Sequence, residues 1–251
     1  MTPSTLIRLL SACLALATSA CTTAQTVLVA GASGKTGVPL VKSLQAEGYK
    51  VRAMVRDKAK AGEFAPGVEI VEADVTKPET LTAAVAGARY VISAIGASAA
   101  KPPNNPEAVD YRGVANLADA AKAAGVKHLV LMSSIGAGDD NPSTPLNRMF
   151  GMVLSWKGKG ESHLRSSGVP YTIVRPGGLV DCDGGKEALR VGAGDSNLSG
   201  RVCRADVALV MMDALRNPEA AGKTVALVGD SKAPANDWRA DWKAVARDSA
   251  P

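Results

Sequence analysis

Residues 27–37 read VLVAGASGKTG: an apolar run, then glycines at 31, 34 and 37. The tail Gly34-Lys35-Thr36 has the local look of an NTPase phosphate loop. Such a loop needs a glycine, four residues, then Gly-Lys-Ser/Thr, so that enough backbone N–H groups wrap the phosphates. Counting back five positions from Gly34 reaches Val29, inside the apolar run, and that reading fails on spacing. Gly31, Gly34 and Gly37 instead follow a predicted strand, Thr26 to Ala30, and open a predicted helix from about Lys35 to Glu47. In that setting glycines supply a tight turn, close approach to a pyrophosphate and close helix-on-strand packing. The phosphates then lie at the helix N-terminus, where free N–H groups and the dipole attract anions.

Outward from this run the chain alternates. Strands are predicted at Val51 to Val55, Glu69 to Glu72, Tyr90 to Ala94, Leu129 to Met132 and Thr172 to Val174. Between them lie Leu81 to Val85, Val109 to Ala124 and a long segment through Leu164. Strand-helix-strand repetition predicts an α/β fold: a doubly wound parallel sheet with right-handed crossovers and helices on both faces. After Arg175 the regularity loosens into PGGLVDCDGG, a helix from about Arg204 to Leu215, a strand near Val225 to Val228, and a last helix including Trp238, Trp242 and Val245. No repeat or linker divides residues 26–251, which read as one domain whose C-terminal part is a small substrate-side subregion. KPPNNP, residues 101–106, is a stiff polar loop after a strand end, where α/β folds place ligands.

Composition narrows the partners. Aromatics are 4% of the chain and hydrophobic residues 46%, so the core is built from Val, Leu, Ile and Ala, as suits buried parallel strands. The net charge of +5 comes from scattered Lys and Arg with no basic block interleaved with aromatics, which argues for a solvated surface and against a nucleic-acid partner. Residues 1–25, MTPSTLIRLLSACLALATSACTTAQ, carry one cation, Arg8, an apolar run too short to span a bilayer, and small residues before Cys21. This is an export-signal pattern, and Thr18-Ser19-Ala20-Cys21 resembles a lipobox with Thr where Leu is usual. A periplasmic or membrane-anchored protein lipidated at Cys21 is one expectation, and a cytoplasmic protein with a misassigned start is the other. Cys182 and Cys203 can pair in an exported protein; their spacing matches no metal or redox motif, and no metal site is read.

About 20 residues past the glycines, the end of the second strand reaches the adenosine ribose; an acid there selects NAD and a cation favours the 2′-phosphate of NADP. VRAMVRD places Arg56 at that end, with Asp57 next, so NADP is expected ahead of NAD.

VLVAGASGKTG, VRAMVRD, EADVT, SAIG, VDYRGVANLADAAKAAGVKHLVLMSS and SGVPYTIVRPGGL resemble, in order, the atypical short-chain dehydrogenase/reductases of the NmrA-like, NAD(P)H-binding group, a Rossmann fold. WKGKGESHLRSSGVPYTIVRPGGLVDCDGG is similar to a branch described as NAD-dependent epimerase/dehydratase-like. The resemblance implies that Gly31, Ser33, Gly34, Lys35, Thr36 and Gly37 hold the pyrophosphate, that Arg56 meets the 2′-phosphate, and that Asp74 and Val75 contact adenine. It implies further that Ala94, Ile95 and Gly96 line the cofactor, that Ser133 and Ser134 end the active-site strand, and that Pro176 and Gly177 lie against the nicotinamide end.

The departure is at the proton donor. The wider superfamily uses Tyr-x-x-x-Lys on one helix, the Lys lowering the Tyr pKa. Setting Glu161 on the family's Lys-x-x-x-Glu pattern places Lys157 at the Lys position and Val153 where the Tyr would be. Tyr171 begins a strand and reads as packing; His128 reads as structural, and His163 is a weak candidate. Two functions fit: an NADPH-dependent oxidoreductase acting on a quinone, flavin or similar conjugated acceptor, with Ser134 and Lys157 as the candidate catalytic residues, or a non-catalytic NADP-sensing or scaffold protein of NmrA type. A nucleotide-sugar epimerase or dehydratase fits poorly, since only about 75 residues follow Arg175 for a substrate domain. Oligomeric state is not legible.

Overall fold

The seven apolar runs read as strands all enter one sheet. The computed structural model describes residues 24–249, so the leader up to residue 23, Cys21 included, lies outside the described residues. The strands are β1 (Thr26–Ala30), β2 (Lys50–Val55), β3 (Glu69–Glu72), β4 (Tyr90–Ser93), β5 (His128–Met132), β6 (Tyr171–Pro176), β7 (Gly178–Val180), β8 (Glu187–Ala193), β9 (Arg201–Cys203) and β10 (Lys223–Pro234). The main sheet runs in the order β3-β2-β1-β4-β5-β6-β10-β8, parallel from β3 through β10, with β8 antiparallel at the edge. β7 and β9 pair in a separate two-stranded sheet. The helices are α1 (Gly37–Ala46), α2 (Leu81–Val85), α3 (Val114–Ala123), α4 (Pro145–Met149), α5 (Val153–Ser166) and α6 (Arg204–Arg216).

A strand sends successive side chains to opposite faces, and β1 shows how that fills both layers. Val27 and Val29 join Leu40, Val41 and Leu44 of α1 and Val207 and Met211 of α6, while Leu28 and Ala30 join Leu81, Leu117 and Leu164 under α2, α3 and α5. Covered on both sides, parallel strands carry continuous apolar runs without alternation. Each fully buried Leu contributes roughly 1.5–3 kcal/mol.

Three departures have local causes. β8 was not expected, because Glu187 and Arg190 interrupt its apolar pattern; it is an edge strand, with Arg190 exposed and Ala188, Leu189 and Val191 buried against β10. The last helix is a 3-10 turn, Trp238–Ala244, anchored by the buried Trp242, whose carbonyl accepts from Lys223 Nζ at 2.7 Å. The stretch expected as one helix from Val109 begins as a π-helical turn, Glu107–Gly113, before α3; such turns redirect side chains and recur at functional sites. Cys182 and Cys203, whose pairing the sequence left open, form a disulfide with Cα atoms 5.5 Å apart, tying the loop after β7 to the end of β9.

Candidate functional site

The strand order reverses between β1 and β4, and in open α/β sheets a crevice opens at the carboxyl ends of such a pair. The loop leaving β1 fills one side of it. Gly31 has φ +79°, and a Cβ there would lie 2.9 Å from the carbonyl oxygen of Ala94; at Gly37 a Cβ would lie 2.1 Å from that of Gly31. Any side chain at either position would displace backbone, so the turn is closed against the end of β4 only because both are glycine. Gly31, Ser33 and Gly34, packed beside Ala94, Ile95 and Gly96, line the cleft together with Arg56, Asp74, Val75 and Asn104 and the apolar Met54, Val55, Ala73 and Val109.

The remaining candidate cofactor residues are placed differently. Thr36 is buried at the start of α1. Lys35 turns away to pair with Asp181 at 2.9 Å, in the loop after β7, where Asp181 also meets Arg204 at 2.5 Å. Ser133 is buried with its hydroxyl lacking a hydrogen-bond partner. Pro176 and Gly177 lie at the carboxyl edge of the sheet, where the Pro176 carbonyl accepts from Ile135 N and Gly177 N donates to Leu227.

Arg56 Nη1 donates to Asn104 Oδ1 at 2.9 Å, joining the end of β2 to the loop after β4. Asp57, the residue that would favour NAD, accepts from Ala59 N and caps its own turn. Asp74 likewise accepts from Thr76 N and Oγ1, at 2.9 and 2.8 Å.

Beyond Gly96 a second cavity of about 460 Å³ is lined by Ala97, Ser98, Ala99, Ala100, Pro106, Ser134, Leu146, Met149, Phe150, Val153, Leu154 and Lys157. KPPNNP, the segment from Gly136 to Leu154 and the loop after Pro176 were the segments expected to build a substrate pocket. The second of them supplies Leu146, Met149, Phe150, Val153 and Leu154, KPPNNP contributes only Pro106, and the loop after Pro176 contributes none of the lining, while Pro103 and Asn104 face the cavity beside Arg56. Val153 stands in the pocket wall at the position of the absent Tyr. Lys157 Nζ contacts Asp110 Oδ1 at 2.7 Å, and Ala97 N donates to Asp110 Oδ2 at 3.2 Å. The Asp110 side chain is 1% exposed and that of Lys157 16%, so each charge is matched where water hardly reaches. Asp110 sits in the π-helical turn and was missed in the sequence, where VDY reads as the start of an ordinary amphipathic helix. Ser134 donates to the carbonyl of Ile135 at 3.0 Å.

Met149 and Phe150, 67% and 47% exposed, stand over this cavity with Leu146. Their short helix is held from beneath by Asn147, which donates to the carbonyls of Asp139 and Asn141 and accepts from Leu154 N. Met152 turns the chain into α5 at φ +62°, a conformation that a non-glycine residue adopts only when its surroundings enforce it.

The sequence profile of the NAD(P)H-binding family matches residues 31–218. The chain belongs to that family. Protein TIC 62, chloroplastic, of Pisum sativum is 37% identical over 83% of this chain, which spans only 43% of the pea protein's length. Sanguinarine reductase of Eschscholzia californica is 35% identical, with 79% of this chain and 86% of the relative covered. Among solved structures, an anaerobillin reductase from Escherichia coli O157:H7 superposes with a TM-score of 0.68 at 29% identity, covering 81% and 97% of the two chains.

The glycine cradle fits the family's cofactor: two positions where a Cβ has no room adjoin a helix N-terminus, and the cleft beside them is lined by apolar residues and one cation, Arg56. When bound, that group supplies a nicotinamide carbon able to give or take a hydride. The other titratable candidates lie elsewhere. Tyr171 OH donates to Asp248 at 3.0 Å, away from both cavities, and burial beside that carboxylate pushes its pKa up to about 12. His128 is buried against Thr172 Oγ1 at 2.8 Å, and burial lowers its pKa to about 4, which keeps it neutral. His163 meets Asp119 on the outer face of α3 and α5.

Proposed function

We propose that the protein is an NADPH-dependent oxidoreductase that passes a hydride to an apolar, conjugated small-molecule acceptor such as a quinone or a flavin. The observation that carries this reading is the second cavity, which begins at Ala97, next to Gly96 of the cofactor cleft, and is apolar apart from Ser98, Ser134 and Lys157. An oxidoreductase role also agrees with the reductase activities named for two of the relatives. Val153 offers no proton, and the Asp110 carboxylate occupies the Lys157 ammonium. The chain's own contribution is therefore orientation and exclusion of water. Leu146, Met149 and Phe150 press a flat acceptor toward Gly96 and Ser134, the Ser134 hydroxyl turns from the Ile135 carbonyl to an acceptor oxygen, and Lys157, fixed and neutralised by Asp110, offers a remaining N–H to the nicotinamide ribose. Conjugated acceptors suit this site because they spread the arriving charge and can leave it as the reduced anion, taking their proton from bulk solvent after release. Preference for NADPH rests on Arg56 at the ribose end, with Asp57 engaged by its own turn.

A second reading, a cofactor sensor without turnover, is favoured by one observation, Val153 in the place of the proton donor. The two separate on one measurement. NADPH absorbance is followed with naphthoquinones and riboflavin as acceptors; oxidation with at least one is expected, and tight NADPH binding without oxidation by any would leave the sensor.

A further inference from the structure

We propose that Asn104 is a positioning residue for cofactor selection: it holds the Arg56 guanidinium in place to receive a 2′-phosphate. The inference rests on the NADP preference proposed above and adds a residue from a segment with no recognisable motif. Arg56 is an exposed side chain at the end of β2, 48 residues from Asn104 in sequence, and the loop after β4 brings the amide to 2.9 Å from Nη1. An unrestrained arginine loses several rotamer freedoms when it captures a phosphate, and one already pinned loses fewer. Arg56 presents five N–H donors, and the contact with Asn104 occupies one Nη1 position, so others are left for phosphate oxygens.

The space that Asn104 faces has Arg56 and Lys77 on its border together with two acids. Ser33, Arg56 and Asn104, which also line the cofactor cleft, border with Lys77 an adjoining cavity of about 460 Å³. Its two acids, Asp57 and Asp74, each accept from a backbone N–H two residues on, so their carboxylates are held by their own turns. Neutrality is the telling property of residue 104. An amide oxygen orients a guanidinium without cancelling its charge, whereas a carboxylate at the same place would orient it and neutralise it.

The test measures equilibrium affinities of the full chain for NADP⁺, NAD⁺, adenosine 2′,5′-bisphosphate and AMP, with no need of turnover. Asn104→Ala should weaken the two 2′-phosphorylated ligands about fivefold and leave NAD⁺ and AMP unchanged, as expected for loss of one orienting hydrogen bond. Asn104→Asp should weaken them further, by about thirtyfold, because the new carboxylate competes with the phosphate for Arg56. Asn104→Ser, which keeps an oxygen acceptor, should recover part of the loss. In an Arg56→Ala background, Asn104→Ala should have no further effect, since the positioned group is gone. If Arg56→Ala weakens NADP⁺ and NAD⁺ equally, the NADP reading itself falls, and this inference with it. If Arg56→Ala is selective for NADP⁺ but Asn104→Ala changes neither ligand, or both equally, Asn104 does not position Arg56 and the inference alone is overturned.

Discussion

The cleft beside the glycine loop and the second cavity, proposed above as the acceptor pocket, both draw on one loop, residues 97–106, yet they are built from different materials. The cleft is chiefly backbone: glycines that admit no Cβ, strand ends, and a helix N-terminus. The second cavity is chiefly side chain: Leu146 and Met149 on a five-residue helix and Phe150 just past its end, with the Lys157–Asp110 ion pair beside them. Backbone cradles recognise what every dinucleotide has in common. Side-chain pockets are changed one residue at a time without refolding the sheet, which leaves the acceptor end free to differ among proteins that share the cofactor end.

If this contrast holds, damage to the cradle should be nearly absolute. Gly31→Ala forces a side chain into a left-handed conformation and against Ala94, and about a hundredfold loss of NADPH affinity is expected, with the far-ultraviolet dichroism of the sheet retained. A loss below threefold in a fluorescence titration would mean that the loop is not the cradle.

The ion pair sits between the two regimes. Lys157→Ala leaves the Asp110 carboxylate buried and unpaired and should cost about 3 kcal/mol in urea unfolding, since removing one partner strands the other charge. The double change Asp110→Asn with Lys157→Met should recover most of that stability but not turnover. Equal stability of the single variant and the parent would show that water reaches Asp110 and that the pair is not a structural element of the pocket.

The smallest effect is expected at the exposed rim. Phe150→Asp should raise the KM for a naphthoquinone about tenfold, from lost apolar contact, and leave the dissociation constant of NADPH unchanged. A matching loss of NADPH affinity would erase the distinction between the two cavities.

Legibility in the sequence follows the same division. The glycine spacing and the apolar runs are local patterns, so the strands of the parallel sheet and the cofactor class can be read within windows of a few residues. β8 escapes because an edge strand exposed on one side carries charged residues, and the π-helical turn escapes because its periodicity is close to that of an α-helix. Ser133, Pro176 and Gly177 were drawn from a family pattern, and the structure places them at the carboxyl edge of the sheet without bringing them into the cleft wall formed by Gly31, Asp74 and Ala94.

The sequence by itself determined the doubly wound sheet and its dinucleotide cradle, because burial on both faces and the steric demand for glycine act on neighbours in the chain. Only the tertiary structure decided that Lys157 is matched by Asp110, that Arg56 is held by Asn104, and that Cys182 meets Cys203, pairs separated by 47, 48 and 21 residues. Each joins segments brought together by the sheet's crossovers and strand order, and no local pattern records which side chains such a fold leaves within reach of one another.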